Sequence, residues 1–337
     1  MLNLAKGLEA LMILVTGGAG FIGSGLIWGL NQIGFRDIVV CDRLGTGYKW
    51  QNLAKRQIYS VVHKDDLFAW LEASRPHIHT VFHIGACSST TETDADYLMA
   101  NNFQYSVRLF QYCTERRIPF FYASSAATYG AGEHGYDDVQ TELQHLRPIN
   151  KYGYSKHLFD QWVLAQKEFP SAWAGFKFFN VYGPGESHKG AQASVVYHAF
   201  PQVRDTKSLR LFKSYRDDVA HGEQKRDFVY VKDVVKTLLY FYTHRTSINP
   251  GIYNLGTGHA RTFRDLGSAV FQALSAGTPR FEWVDMPPGI KDQYQYFTEA
   301  RLENLRRASG YDGAMTTLED GIRDYVLNYL ATDDPYL

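Results

Sequence analysis

Cysteine is scarce in this sequence: there are three, Cys41, Cys87 and Cys113. An odd, scattered set excludes a disulfide framework, and no CxxC or Cys/His ligand spacing points to structural zinc. His188 and His198 lack a carboxylate or third ligand at ligand spacing, so no metal is expected. A reducing, cytoplasmic setting is the expectation. A surplus of charge of one sign is missing too, since Lys+Arg and Asp+Glu each number 35. Nucleic acid or an anionic membrane would favour a basic excess, so neither is expected as a partner. A small anionic ligand held by a few local cations remains compatible. Long hydrophobic runs are absent as well: nothing approaches the roughly 18 apolar residues that span a bilayer. The apolar stretch at 8–15 is short and leads into Thr16-Gly17-Gly18 instead of a cleavage site, which reads as the end of a linker plus a buried strand. Met12 then stands as an alternative start, with residues 1–11 an extension carrying no chemistry.

What the chain does have is length and rhythm. At 337 residues, 45% hydrophobic and 21% charged, it has room for two domains or one large domain with a sizeable insertion. Short apolar runs alternate with helix-like stretches, the pattern of a Rossmann-type doubly wound parallel α/β sheet. Strands are expected at Met12–Thr16, Ile38–Cys41, Val81–Ile84, Phe120–Ala123 and Ala174–Phe179, and helices at Phe21–Gln32, Tyr97–Arg116 and Tyr152–Phe169. After Gly183-Pro184-Gly185 the rhythm breaks up, with a charged stretch at 213–227 and a Pro-containing loop at 285–292. Residues 12–180 are therefore read as the dinucleotide-binding domain. Residues 181–337 are read mainly as a smaller α/β substrate domain, with 228–255 returning to the first.

The strongest local motif is Gly17-Gly18-Ala19-Gly20-Phe21-Ile22-Gly23, between the first strand and first helix. Gly17 permits a tight turn, Gly20 lets the backbone approach a pyrophosphate, and Gly23 lets helix pack on strand. The helix N-terminus offers free N–H groups to phosphates. A glycine triplet alone marks only a turn; strand and helix in place make it a cofactor loop. Asp42, at the end of the second strand, stands where a carboxylate takes ribose hydroxyls, which favours NAD. Arg43, Lys49 and Lys64 supply cations for a 2′-phosphate, which favours NADP, although a lone lysine is more often solvated surface.

Tyr152 and Lys156 form a YxxxK pair, one above the other on a helix face. A cation beside a phenol is expected to lower its pKa and make it a usable acid or base. Such a pair is common by chance. Its specificity comes from Ser124-Ser125 at the end of a preceding strand, where Ser125 completes a Ser–Tyr–Lys group.

These motifs resemble the extended short-chain dehydrogenases. Within them Gly85-Ala86-Cys87-Ser88-Ser89-Thr90-Thr91, the run Tyr122–Gly130, Asn180–Pro184, His188-Lys189-Gly190 and Lys225–Tyr230 are similar to the ADP-heptose 6-epimerase family, from Met12 to about Tyr325. The resemblance implies a homo-oligomer, a pentamer, acting on an ADP-heptose for lipopolysaccharide core synthesis. It also implies NADP contacts from Phe21, Ile22, Asp42, Arg43, Lys49, Lys64, Ile84, Gly85, Ala86, Cys87, Ser88, Asn101, Lys156, Val181 and Lys189. Tyr152 and Lys189 would be two catalytic bases, and Asn180, Ala191, His198, Phe212, Arg226 and Tyr294 would meet the sugar nucleotide. The chain departs from the family pattern at Arg43, Ile84 and Gly185, and its 213–224 stretch is longer. Ala126-Ala127 after the catalytic hydroxyl argues against a 4,6-dehydratase. A UDP-hexose 4-epimerase and a non-catalytic NADP-sensing Rossmann protein are the alternatives.

Overall fold

A computed structural model describes residues 11–291 and 294–337. The reading of the N-terminal extension therefore lies, up to residue 10, outside the described residues. Aliphatic and β-branched residues such as Ile13, Leu14 and Val15 leave no polar face, so they are stable only in a strand covered on both sides. That strand, β1 (Met12–Thr16), is the centre of the fold. β2 (Ile38–Asp42) and β3 (Ser60–His63) follow on one side, and β4 (Ile78–His83), β5 (Phe120–Ser125) and β6 (Trp173–Phe178) on the other. β7 (Asn180–Tyr182), β8 (Leu209–Phe212) and β9 (Lys225–Tyr230) lie outside this sheet, and β10 (Gly251–Leu255) rejoins it beside β6. The order β10-β6-β5-β4-β1-β2-β3 is parallel throughout. The connections reverse direction between β1 and β4, which opens a crevice at the carboxyl ends of those strands.

Helix α1 (Phe21–Gln32) follows β1, and α2 (Leu67–Ser74) joins β3 to β4. The helix expected at Tyr97–Arg116 is α3 (Ala95–Leu98) and α4 (Tyr105–Glu115), joined by a π-helical turn at Met99–Gln104. Such a turn inserts a residue into the helical ladder and re-aims side chains, and it commonly sits at functional sites. Here it carries Asn101 and Asn102. α5 (Lys151–Leu164) begins where the Asn150 side chain accepts the Gly153 N–H at 2.7 Å.

A second core joins α6 (Val195–Thr206) to later elements. It gathers Val196, Ala199 and Val203 with Leu266, Val270, Ile322 and Tyr325. α7 (Val231–Thr243) returns to the large sheet and crosses α1 closely: a Cβ on Gly29 would stand 2.4 Å from Val235. The strand expected at Phe228–Tyr230 does not return with it. β9 pairs with β7 and with β11 (Ala260–Thr262) in a separate three-stranded sheet, because its side chains Phe228 and Tyr230 belong to the second core. β12 (Phe281–Val284) pairs with β8, and α8 (Phe263–Ala273) lies beneath. No helix among the described residues is long and apolar enough to cross a membrane.

Candidate active site

One cavity of about 1170 Å³ runs along the carboxyl ends of the central strands and into the second layer. That exceeds the roughly 300–1,000 Å³ usual for a single small ligand. Every residue expected to be catalytic or to touch the cofactor or sugar nucleotide lines it.

At one end lies the glycine loop. Gly17 has φ +68°, and a Cβ there would meet Gly85 Cα at 2.5 Å. A Cβ on Gly23 would meet the Gly17 carbonyl oxygen at 2.1 Å. Gly20 is the N-cap of α1 and has no side chain to satisfy the first-turn N–H groups, which are left free for an anion. A dinucleotide pyrophosphate fits that donor set. Asp42 accepts from Ala19 N at 2.8 Å, from Arg43 N at 2.6 Å and from the Lys49 ammonium. It thus ties the loop to the second strand, and Lys49 largely neutralises it. Lys64 donates to Asp65 at 2.9 Å, while Arg43 projects from the cavity edge. On the opposite wall Ile84, Gly85, Ala86, Cys87 and Ser88 follow β4. Asn102 holds this stretch by accepting from Cys87 N at 2.8 Å and donating to Cys87 O at 2.9 Å. Val181, just past β6, completes this end.

Tyr152 and Lys156 project from the first turns of α5, opposite Ser125 at the end of β5. The two serines have different tasks. Ser124 is buried and donates to Asp160 at 2.7 Å. Ser125 lines the cavity, accepts from Ala127 N at 3.1 Å and stands near enough to the Tyr152 phenol to draw its pKa down. The expectation that Lys156 draws the Tyr152 pKa down is not met here. Burial pushes the phenol up, Ser125 pulls it partly back, and the Lys156 ammonium donates to Ala123 O at 2.9 Å. Burial also lowers Lys156 to about 8, against the opposing pull of Asp160. The lysine is thus held, buried, by the end of β5.

Lys189 enters from the other side, on a short 3-10 turn after β7. Burial lowers its pKa, and Glu186 opposes the shift. Its ammonium lies 5.5 Å from the Phe21 ring centroid. Glu186, fully buried, holds the turn in place: it accepts from Ser194 N at 2.6 Å, from Ser194 Oγ at 2.7 Å and from Gly183 N at 3.3 Å. His188 is near 4, lowered mainly by burial, and hydrogen-bonds Asn52 and the Gly185 carbonyl, each at 3.1 Å.

The far end is built for an anion. Arg226 is buried, with no carboxylate partner among the described residues, and its guanidinium lies 4.9 Å from the Tyr294 ring and 5.9 Å from the Phe263 ring. An uncompensated buried cation is costly, so a phosphate-bearing ligand is a natural partner. Asn180, Ala191, His198 and Phe212 line the cavity as well.

Residues 13–256 match the NAD dependent epimerase/dehydratase family. The chain belongs to that family. It is 50% identical over 335 residues to the ADP-L-glycero-D-manno-heptose-6-epimerase of Fusobacterium nucleatum, covering 97% of this chain and 100% of the relative. It is 47% identical over 328 residues to the same-named enzyme of Nitratidesulfovibrio vulgaris, covering 97% and 100%. Among solved structures, the Helicobacter pylori ADP-L-glycero-D-manno-heptose-6-epimerase superposes with a TM-score of 0.78 at 27% identity, covering 97% of this chain and 99% of that one. UDP-glucose 4-epimerase from Thermotoga maritima, at 24% identity and TM-score 0.73, covers 93% and 96% and shares the fold. As an epimerase/dehydratase family member the chain is an isomerase that uses a nicotinamide dinucleotide.

Several site residues had escaped the sequence reading. Asn52 donates to Ala19 O at 2.9 Å and braces the glycine loop. Fully buried His83 links Thr16 and Ser106, each at 2.7 Å, behind the loop. Gln224 lines the cavity with its Oε1 unpartnered among the described residues. None of these lies in a glycine or YxxxK pattern. The one available signal was a polar residue interrupting an apolar run, as His83 does at the end of β4.

Proposed function

We propose that this enzyme inverts C6 of ADP-D-glycero-D-manno-heptose to give ADP-L-glycero-D-manno-heptose, with bound NADP, for lipopolysaccharide core heptose synthesis. The observation that carries the reading is that Tyr152 and Lys189, on separate elements, line one cavity that has anion-binding features at both ends. Bound nicotinamide would accept and return a hydride. The chain's own residues do the rest. Glycine-loop N–H groups and α1 hold the pyrophosphate, Arg226 the nucleotide phosphates, and Tyr152 with Ser125 takes the hydroxyl proton as the transient ketone forms. Inversion requires the ketone to present its other face before reduction. Its oxygen then lies elsewhere, where Lys189 serves it. Turnover of ADP-heptose against UDP-galactose, with Tyr152→Phe as control, tests the assignment: preference for UDP-galactose would replace it with the 4-epimerase reading.

NADP over NAD is supported by Lys49 occupying Asp42 while Arg43 and Lys64 stay close to the adenosine end. Protein purified without added cofactor is expected to release NADP on denaturation. Removing the Arg43 and Lys64 charges should shift preference toward NAD, because charge-assisted contacts to phosphate are the strong ones. Release of NAD alone from the unaltered protein would reverse the assignment.

A recycled hydride makes a further demand. Epimerisation is expected to proceed without stoichiometric consumption of added NADPH. Product formed in proportion to NADPH oxidised would mark a reductase instead.

A further inference from the structure

Behind the cavity, α5, β5 and β6 enclose an ion pair with no exposure to solvent. Lys177 donates to Asp160 Oδ2 at 2.7 Å and to Thr128 Oγ1 at 2.7 Å, and both charged side chains are fully buried. Asp160 also accepts from Ser124 at 2.7 Å and from Tyr122 at 3.0 Å. Thr128 in turn donates to the Ser125 carbonyl at 2.8 Å. Buried pairs of this kind seldom add stability over an apolar replacement, so the pair invites another explanation. Asp160 lies one helical turn beyond Lys156, on the same face of α5. Lys177 thus pairs with Asp160 directly, while Lys156, bonded to the Ala123 carbonyl, feels the same carboxylate from one helical turn away.

Further charged groups reach the edge of this cluster, among them Asp138 at Tyr129 and Arg147 at His157. His83 and His157 are held below their usual range by burial. Tyr122, Tyr129 and Cys87 are pushed up by burial. Asp160 is the carboxylate among these neighbours that acts on Lys156.

We infer that Asp160, braced by Lys177, is a positioning residue that fixes the Ser125-bearing end of β5 and keeps Lys156 charged beside Tyr152. The cluster of Lys156, Asp160 and Lys177 then carries a net single positive charge one helical turn from the phenol, set against the upward pull of Asp160 itself on that phenol. The inference rests on Tyr152 and Lys156 being the proton-handling pair, a reading that fails separately if Tyr152→Phe keeps its turnover.

The test is the pH profile of kcat in the NADP-loaded enzyme at saturating ADP-heptose. Loss of the Lys156 proton defines the alkaline limb, and Asp160→Asn is expected to move that limb to lower pH by about one to three units. Asp160→Glu keeps the charge, and its limb is expected to stay at the wild-type position even if kcat drops. Asp160→Asn leaves Lys177 buried without a counter-ion and can fail to fold. The double change Asp160→Asn with Lys177→Met removes both charges and should show an acidward limb of smaller size, because the lost Lys177 charge had opposed that of Asp160. A limb that stays in place in a folded, NADP-binding variant without the Asp160 charge overturns the proposal and reduces the pair to a structural tie.

Discussion

Replacing Tyr152 with phenylalanine lowers epimerisation by about 10²–10⁴-fold, the scale of a lost general acid/base, while NADP and ADP-heptose still bind. Lys189→Met is expected to fall by a similar factor. The reason is geometric. A bound nicotinamide would stay on one side of the cavity, so the substrate oxygen would have to be served at two positions in turn, and a single fixed base would serve one of them poorly. Tyr152 reaches the cavity from α5 and Lys189 from the turn after β7. The methionine keeps much of the lysine's length, so the Glu186-anchored turn and apolar packing beside Phe21 are kept while the charge over that ring is lost. Measured with saturating substrate, the loss should appear in kcat with little change in KM. Near wild-type turnover in Lys189→Met would reduce the mechanism to one base and leave that lysine a wall residue.

Gly23→Ala should abolish retention of NADP through one methyl group. The added Cβ would lie 2.1 Å from the Gly17 carbonyl oxygen and 2.8 Å from Gly18 Cα, both backbone atoms that cannot swing aside. Forcing extra bulk into a packed site costs about 1–3 kcal/mol, which is about 5- to 150-fold in affinity. A backbone-to-backbone clash belongs at the upper end. Gly47→Ala is the control, since a Cβ there meets nothing within 4 Å. Cofactor content after purification and nicotinamide binding titrations read the effect. Wild-type NADP content in Gly23→Ala would mean that the helix and loop can separate without losing the phosphate site.

The parts of this molecule that follow a period or a backbone necessity were open to sequence reasoning. β1 reads as a buried strand because four consecutive residues, Met12 to Val15, lack a polar face, and the glycine loop because its three glycines recur at a fixed spacing, two of them, Gly17 and Gly23, with no room for a Cβ. The YxxxK pair is visible because helical spacing alone aligns its members. Other features leave no such trace. β3 and the short β7, β8 and β11 carry too few residues to establish an alternation. The π turn at Met99–Gln104 departs from the helical hydrogen-bond ladder without departing from helical composition. The buried polar network around Asp160 is composed of residues that composition alone would place at the surface. Lys156 shows the limit at a site that was found. Its spacing from Tyr152 is visible in the sequence, but its bond to the Ala123 carbonyl depends on how β5 ends beneath α5.

Because β10 follows β7, β8 and β9 in the chain yet pairs with β6, the parallel sheet is finished only after the intervening segment has been synthesised and folded back. Pairing across such a separation pays loop-closure entropy before it gains contacts, and this slows folding. Until then β6, whose six residues are all buried in the finished fold, presents an open apolar edge to the surrounding solution. Strands left unpaired during synthesis are where chains of this size associate wrongly. The two layers are thus interleaved in time as well as in space: a nascent chain closes its parallel sheet only after β7, β8 and β9 have been made, and the second core is completed later still, by α8 and the C-terminal residues Ile322 and Tyr325.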